Sequence, residues 1–451
     1  MKNLLNRSLF LLITAATIIS CGDDDPVQQD VETRNIIQLA QANGFNALAA
    51  ALERADLIDD LQAAGPFTVF APTDAQFAGL LETIGQSSID DIPVPVLTDI
   101  LLYHVVSGSV LSGDVTDTTV PTLLSGNSIE LTTDGGIKVN GASVIEPFDV
   151  EASNGVIHTI DGVLVPADIL QFVNTVLEPA YFSVNFTTLI EAAVKADVVG
   201  TLLNADALTI FAPTNDAFSA AGVDVSALSG ETLASVLTYH VVGAKVLSTG
   251  IPASATTLNE NDIFFSLVDA GNFINGNTEI TAVDIESGTG VVHVIDNVLM
   301  PPAGDLVDIA IGADPEFTSL VAALTRTTTE GDENLVTVLQ GDGPFTVFAP
   351  TNAAFQALLD SNEEWSALGD IPIGTLVNVL KYHVVPARAY DKDLAGAIDE
   401  NNELPTALGQ NVSIDLSNLT VDDAGLIVTS LNINATNGVI HAIDAVLLPA
   451  Q

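Results

Sequence analysis

Basic side chains are what this sequence lacks most: 11 Lys and Arg stand against 58 Asp and Glu, a formal charge of −47 at pH 7. Phosphate recognition needs a basic face, so nucleic acid is excluded as a partner, and an anionic membrane surface is disfavoured for the same reason. Charged residues make up only 15% of the chain, so the imbalance comes from missing cations and not from an acidic low-complexity tract. Cysteine occurs once, at Cys21, which excludes an intramolecular disulfide. No Gly-x-Ser-x-Gly elbow, P-loop, Gly-x-Gly-x-x-Gly or zinc-protease helix occurs, and neither does an EF-hand loop or an Arg-Gly-Asp. Nothing therefore points to an enzyme. With 58 acids, single carboxylate pairs carry no information about catalysis.

What is present is apolar material, 48% of residues, enough to exclude a disordered acidic chain. A length of 451 residues allows three domains of roughly 150 each. At the N-terminus, Lys2 and Arg7 precede the apolar run Leu9 to Ile19, which is 11 residues long. That is too short to span a bilayer and reads as the core of a signal peptide over 1–20. Cys21 follows directly and resembles the lipidated first residue of a bacterial lipoprotein, with 21–30 as an acidic tether. The run Gly22-Asp23-Asp24-Asp25 resembles the export signal that sends some lipoproteins to the outer face of the outer membrane. The expectation is an outer-membrane lipoprotein exposed at the cell surface, touching the membrane through its lipid alone.

Self-comparison shows three copies of three blocks in one order. Phe67-Thr68-Val69-Phe70-Ala71-Pro72-Thr73-Asp74 recurs at 208–215 and 345–352, and each copy is followed by a phenylalanine at Phe77, Phe218 and Phe355. Tyr103-His104-Val105-Val106 recurs as Tyr239-His240-Val241-Val242 and Tyr382-His383-Val384-Val385. Asn154-Gly155-Val156-Ile157-His158-Thr159-Ile160-Asp161 recurs at 290–296 without the asparagine, and at 437–444 with it. The spacing from His104 to His240 is 136 positions and from His240 to His383 is 143, too long for solenoid units and right for autonomous domains. Boundaries are expected at 31–166, 173–302 and 304–450. Prolines at the joins suggest a compact or semi-rigid string.

Within a repeat the pattern reads as helices first, then strands. Phe45, Leu48, Leu52 and Ala55 keep helical spacing, as do Phe186, Leu189, Ala193 and Phe317, Leu320, Leu324. Phe67 to Phe70 is a short strand ended by Pro72, and Thr73 with Gln76 forms a capping box in the first repeat only. Val96 to Val106 is expected as a second helix, followed by strands at 128–132, 137–139 and 156–160. The class is α+β.

On these three blocks the repeats resemble fasciclin (FAS1) domains, three in tandem, covering nearly all of the chain after Cys21. The resemblance implies a β-wedge or sandwich flanked by helices, in surface proteins that mediate adhesion by binding extracellular matrix or cell-surface protein or glycan. It also implies candidate adhesion residues: the Tyr-His pairs Tyr103 and His104, Tyr239 and His240, Tyr382 and His383, and an Asp-Ile type dipeptide at Asp149-Val150 and Asp284-Ile285. In the third repeat that position is Asn432-Ile433, so the carboxylate is lost.

Two His and a carboxylate per repeat, such as His104, His158 and Asp161, raise a metal site as an alternative. Strand alternation sets His158 and Asp161 on opposite faces, so buried, hydrogen-bonded core histidines are the expectation and no cofactor is implied. The acid excess reads as a solvated surface suited to a saline medium, with Ca²⁺ bridging of acidic patches or polysaccharide as the sharper alternative. A spacer that organises the envelope without a specific ligand is the structural alternative to adhesion.

Overall fold

The computed structural model describes residues 34–450 apart from 314 and 332. Cys21, the apolar run before it and the acidic stretch after it lie outside these residues.

The first repeat opens with three short helices, α1 (Ile36–Ala42), α2 (Asn46–Arg54) and α3 (Ile58–Gln62). In α2 the residues Leu48, Ala51 and Leu52 are buried, the stripe that 3.6-residue periodicity predicts. Strand β1 (Phe67–Pro72) leads to α4 (Asp74–Thr83) and α5 (Val94–Tyr103), then to β2 (Val105–Ser107), β3 (Thr118–Pro121), β4 (Ser128–Thr132), β5 (Lys138–Val139), β6 (Ala142–Ala152) and β7 (Gly155–Ile160). They form one sheet in the order β2-β1-β7-β6-β5-β4-β3, with β1 and β7 parallel and Phe70 opposite His158. The second repeat builds the same seven-stranded sheet, whereas the third divides it into two four-stranded sheets.

The sheet bends over itself as a wedge, so β1 and β7 have no solvent face. Val69, Ala71 and Ile157 point into the core beneath the helices. Phe70 and Ile160 point the other way, into a second core with Tyr103, Val106, Ile129 and Leu131. At about 2 kcal/mol per fully buried aliphatic side chain, this two-sided burial makes the first and third sequence blocks the most heavily packed strands of each repeat. Gly155 is required where the two strands begin side by side: a Cβ there would lie 2.0 Å from the Phe67 carbonyl oxygen.

Two local expectations are corrected. The helix expected over 96–106 ends at Tyr103. His104 caps it, and the β-branched pair Val105-Val106 leaves to join β1, with Val105 opposite Val69. The capping box at Thr73 does not form, because the Thr73 hydroxyl bonds to the Gln76 side chain instead of accepting from the backbone. The N-cap bond is made in the other repeats, where Thr214 and Thr351 accept from the N–H of Ala217 and Ala354.

Both joins are packed. The helical cores of the first two repeats merge into one apolar cluster, where Phe172 stacks on Tyr181 with ring centroids 3.7 Å apart. Between the second and third repeats, the Arg388 guanidinium lies 4.0 Å from the centroid of Phe264, and Asn434 Nδ2 donates to the Tyr239 hydroxyl at 3.2 Å. No helix among the described residues is long and apolar enough to cross a membrane.

Candidate interaction surface

The Tyr-His pairs lie inside the protein. His104, His240 and His383 are at most 2% exposed, and their tyrosine neighbours at most 7%. In His104, Nδ1–H donates to the Ile100 carbonyl at 2.7 Å and Nε2 accepts the N–H of Leu164 at 2.8 Å. This ring satisfies a carbonyl of the last turn of α5 and ties it to the chain leaving β7. The other repeats repeat the arrangement with Val236 and Leu299, and with Val379 and Leu447. Burial holds all three imidazoles neutral, with pKa lowered to about 4. Tyr103 donates from its hydroxyl to the Ser128 carbonyl, fastening α5 to the β4–β5 hairpin. These six residues are therefore core fasteners, and the expectation that they contact a partner is corrected by their burial.

The second histidine of each repeat uses the opposite tautomer. His158 Nε2–H donates to the Val110 carbonyl at 2.7 Å, and Nδ1 faces the N–H of Asp149 at 3.4 Å. His293 and His441 make the equivalent bonds to Val246 and Asp284, and to Ala389 and Asn432. With both ring nitrogens engaged in each histidine, no lone pair is left for a metal. Among the described residues, no group of three or more His, Cys, Asp or Glu is placed to hold a metal ion. Asp161 instead accepts the N–H of Ser143.

The Asp-Ile type dipeptides occupy a bulge. Asp149, Asp284 and Asn432 have φ of 53°, 59° and 56°, the left-handed region that Asp and Asn tolerate better than other non-glycine residues. The Asp149 carboxylate accepts both the N–H and the hydroxyl of Ser112, and Asp284 does the same with Ser248. Desolvation opposes ionisation of Asp149, yet the Ser112 bonds and the nearby His158 ring leave its pKa below the ordinary value. In the third repeat the pair is exchanged: Asp391 stands at the serine position, and Asn432 donates to its carboxylate while accepting its N–H. The carboxylate that the sequence loses at Asn432 has moved across the bracket. Val150 and Ile285 are half-buried beside the helical core.

What the bracket presents outward is apolar. Leu111 and Phe148 each precede one member of the Ser112–Asp149 pair; Leu247 and Val283 hold the same places in the second repeat. Phe148, Leu247 and Val283 are 38%, 37% and 41% exposed. In the third repeat the place of Leu111 is taken by Tyr390, which is 1% exposed and packs against Phe264 of the second repeat. The apolar site is thus open twice and closed once, by docking within the chain. Sequence reading missed it because nothing separates these residues from core positions until the bulge turns them out.

Most of the scarce cations among the described residues are committed to ties within the chain. Arg54, Lys195 and Arg326, in the last turns of equivalent helices, donate to loop carbonyls at Ile92, at Val225 and Ser226, and at Leu368 and Ile371. Arg388 bonds to the Asn434 side chain and to carbonyls of Ala435, Thr436 and Gly438. Lys245 and Lys381 pair with Glu286 and Glu333. Acidic groups are correspondingly left to face solvent.

Comparison with protein-family models finds the fasciclin domain three times, at residues 43–166, 184–301 and 315–449. The transforming growth factor-beta-induced protein ig-h3 of Sus scrofa is 29% identical over 420 residues, covering 92% of this chain and 58% of that protein. Periostin of Homo sapiens is 27% identical over 424 residues, covering 90% of this chain and 46% of that protein. The chain thus spans about half the length of these curated relatives. Among solved structures, a FAS1 domain pair from the insect cell adhesion molecule fasciclin I matches 58% of this chain and 96% of its own, at 18% identity and a TM-score of 0.29.

Proposed function

The chain belongs to the fasciclin domain family, and from that premise we propose that it is a non-enzymatic adhesion protein holding an extracellular protein or glycan through apolar bulges of its first two repeats. The observation that carries this reading is the recurrence of one apolar pair beside the same Ser–Asp bracket, half-buried Leu111 with exposed Phe148 and again exposed Leu247 with Val283. Covering one such side chain contributes only about 1.5 kcal/mol, so each contact is weak. Two of them in one chain reinforce each other when the ligand is repetitive. The double substitution Phe148→Asp and Val283→Asp touches exposed side chains and is expected to leave the melting temperature within a few degrees. It is also expected to weaken attachment of protein-coated beads to matrix or cells by about tenfold or more. Undiminished attachment by the folded variant would refute the surface and leave the spacer role.

The same proposal gives Cys21 the anchor and places the repeats outside the cell. Cys21→Ser is expected to move the protein from the membrane to the soluble fraction. Protease added to whole cells should degrade the wild-type chain, and survival of the intact chain on lysis-free cells would contradict exposure.

A further inference from the structure

The join between the second and third repeats encloses a cleft of about 540 Å³, within the range of small-ligand sites. No ionisable side chain lines it, in a chain that carries 58 acids. Five asparagines do, along with an aliphatic ridge that includes Met300, Pro301 and Pro302.

The asparagines divide into two groups. Asn275, Asn432 and Asn434 are fixed by bonds to Tyr239, to Asp391, and to Arg388 and Tyr390. They make a rigid floor that a ligand need not reorganise. Asn277 is exposed, and among the described residues its amide has no protein partner; Asn297 spends only Oδ1, on the N–H of Val298. Free amide donors and acceptors therefore stand beside the ridge, with no charge to balance.

This combination selects against ions. A cation finds no carboxylate in the lining, and an anion finds no cation while the chain's overall charge repels it. An uncharged polyhydroxyl chain suits it, because amides can donate and accept toward hydroxyls while aliphatic side chains cover the apolar face of a sugar ring. We propose that this cleft binds a short segment of a neutral oligosaccharide. The site is separate from the bulges of the first two repeats, so its failure would leave the adhesion reading untouched.

Met300, 52% exposed on the ridge, is the only methionine besides Met1, so a methionine-methyl label reports on the cleft in the full chain. Neutral malto-, cello-, manno- and chito-oligosaccharides are titrated in turn while the Met300 methyl resonance is followed. At least one should shift it saturably at millimolar concentration, equally at low salt and at roughly 0.5 M NaCl, since no charge is involved. Asn277→Ala with Asn297→Ala should weaken that binding about tenfold without lowering the melting temperature. The proposal is overturned if no neutral sugar gives a saturable shift, if the folded double variant binds as well as wild type, or if an uncharged peptide shifts Met300 where sugars do not.

Discussion

Acidification from about pH 7.5 to about pH 5 is expected to lower the melting temperature of every repeat, over a range in which most carboxylates stay ionised. The cause is His104, His240 and His383, whose rings are buried neutral with pKa lowered to about 4 from an ordinary 6.5. Above the unfolded value neither state binds the proton, and stability is at its full level. As pH falls below 6.5 the unfolded chain takes up protons that the folded chain refuses, and each ring loses about 1.4 kcal/mol per pH unit until the folded value is reached. By about pH 5 this is roughly 2 kcal/mol per repeat, and near pH 4 roughly 3, a large share of the stability of a domain of this size. Asp149 and Asp284, whose pKa values lie below 3.8, contribute stability that is lost only as pH falls through those depressed values. The two windows are therefore separable. Calorimetric melting across this range checks the expectation, and a melting temperature that stayed flat between about pH 7 and pH 5 would contradict it.

The same histidines show what could be read from sequence and what could not. The three-domain organisation and the α+β class were legible because similar blocks recur and because apolar spacing marks helices such as 46–54 and strands such as 128–132, whereas the wedge came with the family resemblance. Burial of the His rings was legible too, since His104 continues the stripe of Leu97 and Leu101. The end of α5 was not. Val105 and Val106 fit a helical stripe as well as a strand, and only pairing with β1 decides between them. The adhesive role expected for the Tyr-His pairs came with the family resemblance, and no local pattern could say that Tyr103 would be folded under the β4–β5 hairpin. The bulge was illegible for a related reason. Between Ile145 and Val150 four residues of β6, ending at the left-handed Asp149, stand against His158 alone, which exchanges the outward and inward faces of the strand, so strict alternation misassigns Phe148. The exchange of Ser112–Asp149 for Asp391–Asn432 needs two positions about 40 residues apart to be read together, which periodicity never does.

Asn154→Ala is expected to destabilise the first repeat by about 3–5 kcal/mol, more than any exposed substitution. This buried side chain makes three bonds to distant backbone. Its Oδ1 accepts the N–H of Ile36 at 3.0 Å, and its Nδ2 donates to the carbonyls of Leu61 and Ala63 at 2.8 and 3.0 Å. One residue before β7 thereby closes the first turn of α1, the end of α3 and the entry to β1. Alanine leaves the buried Ile36 N–H and Leu61 carbonyl without partners, and only the Ala63 carbonyl, at an exposed residue, can turn to water instead. Asn154→Asp should be no milder, because it keeps the acceptor but sets a charge against two carbonyl oxygens. Asn437 makes the same three bonds in the third repeat, to Leu306, Leu339 and Gly341, so Asn437→Ala should act alike there. The second repeat provides the control. It carries Thr289 at this position, and its entry segment is held instead by Glu178 accepting the N–H of Asn174. Thr289→Ala should therefore change stability by less than about 1 kcal/mol. Urea unfolding followed by hydrogen exchange resolved by repeat measures each effect separately. If Asn154→Ala and Thr289→Ala proved equally mild, the asparagine of the third block would not be the fastener of α1 that its three bonds indicate.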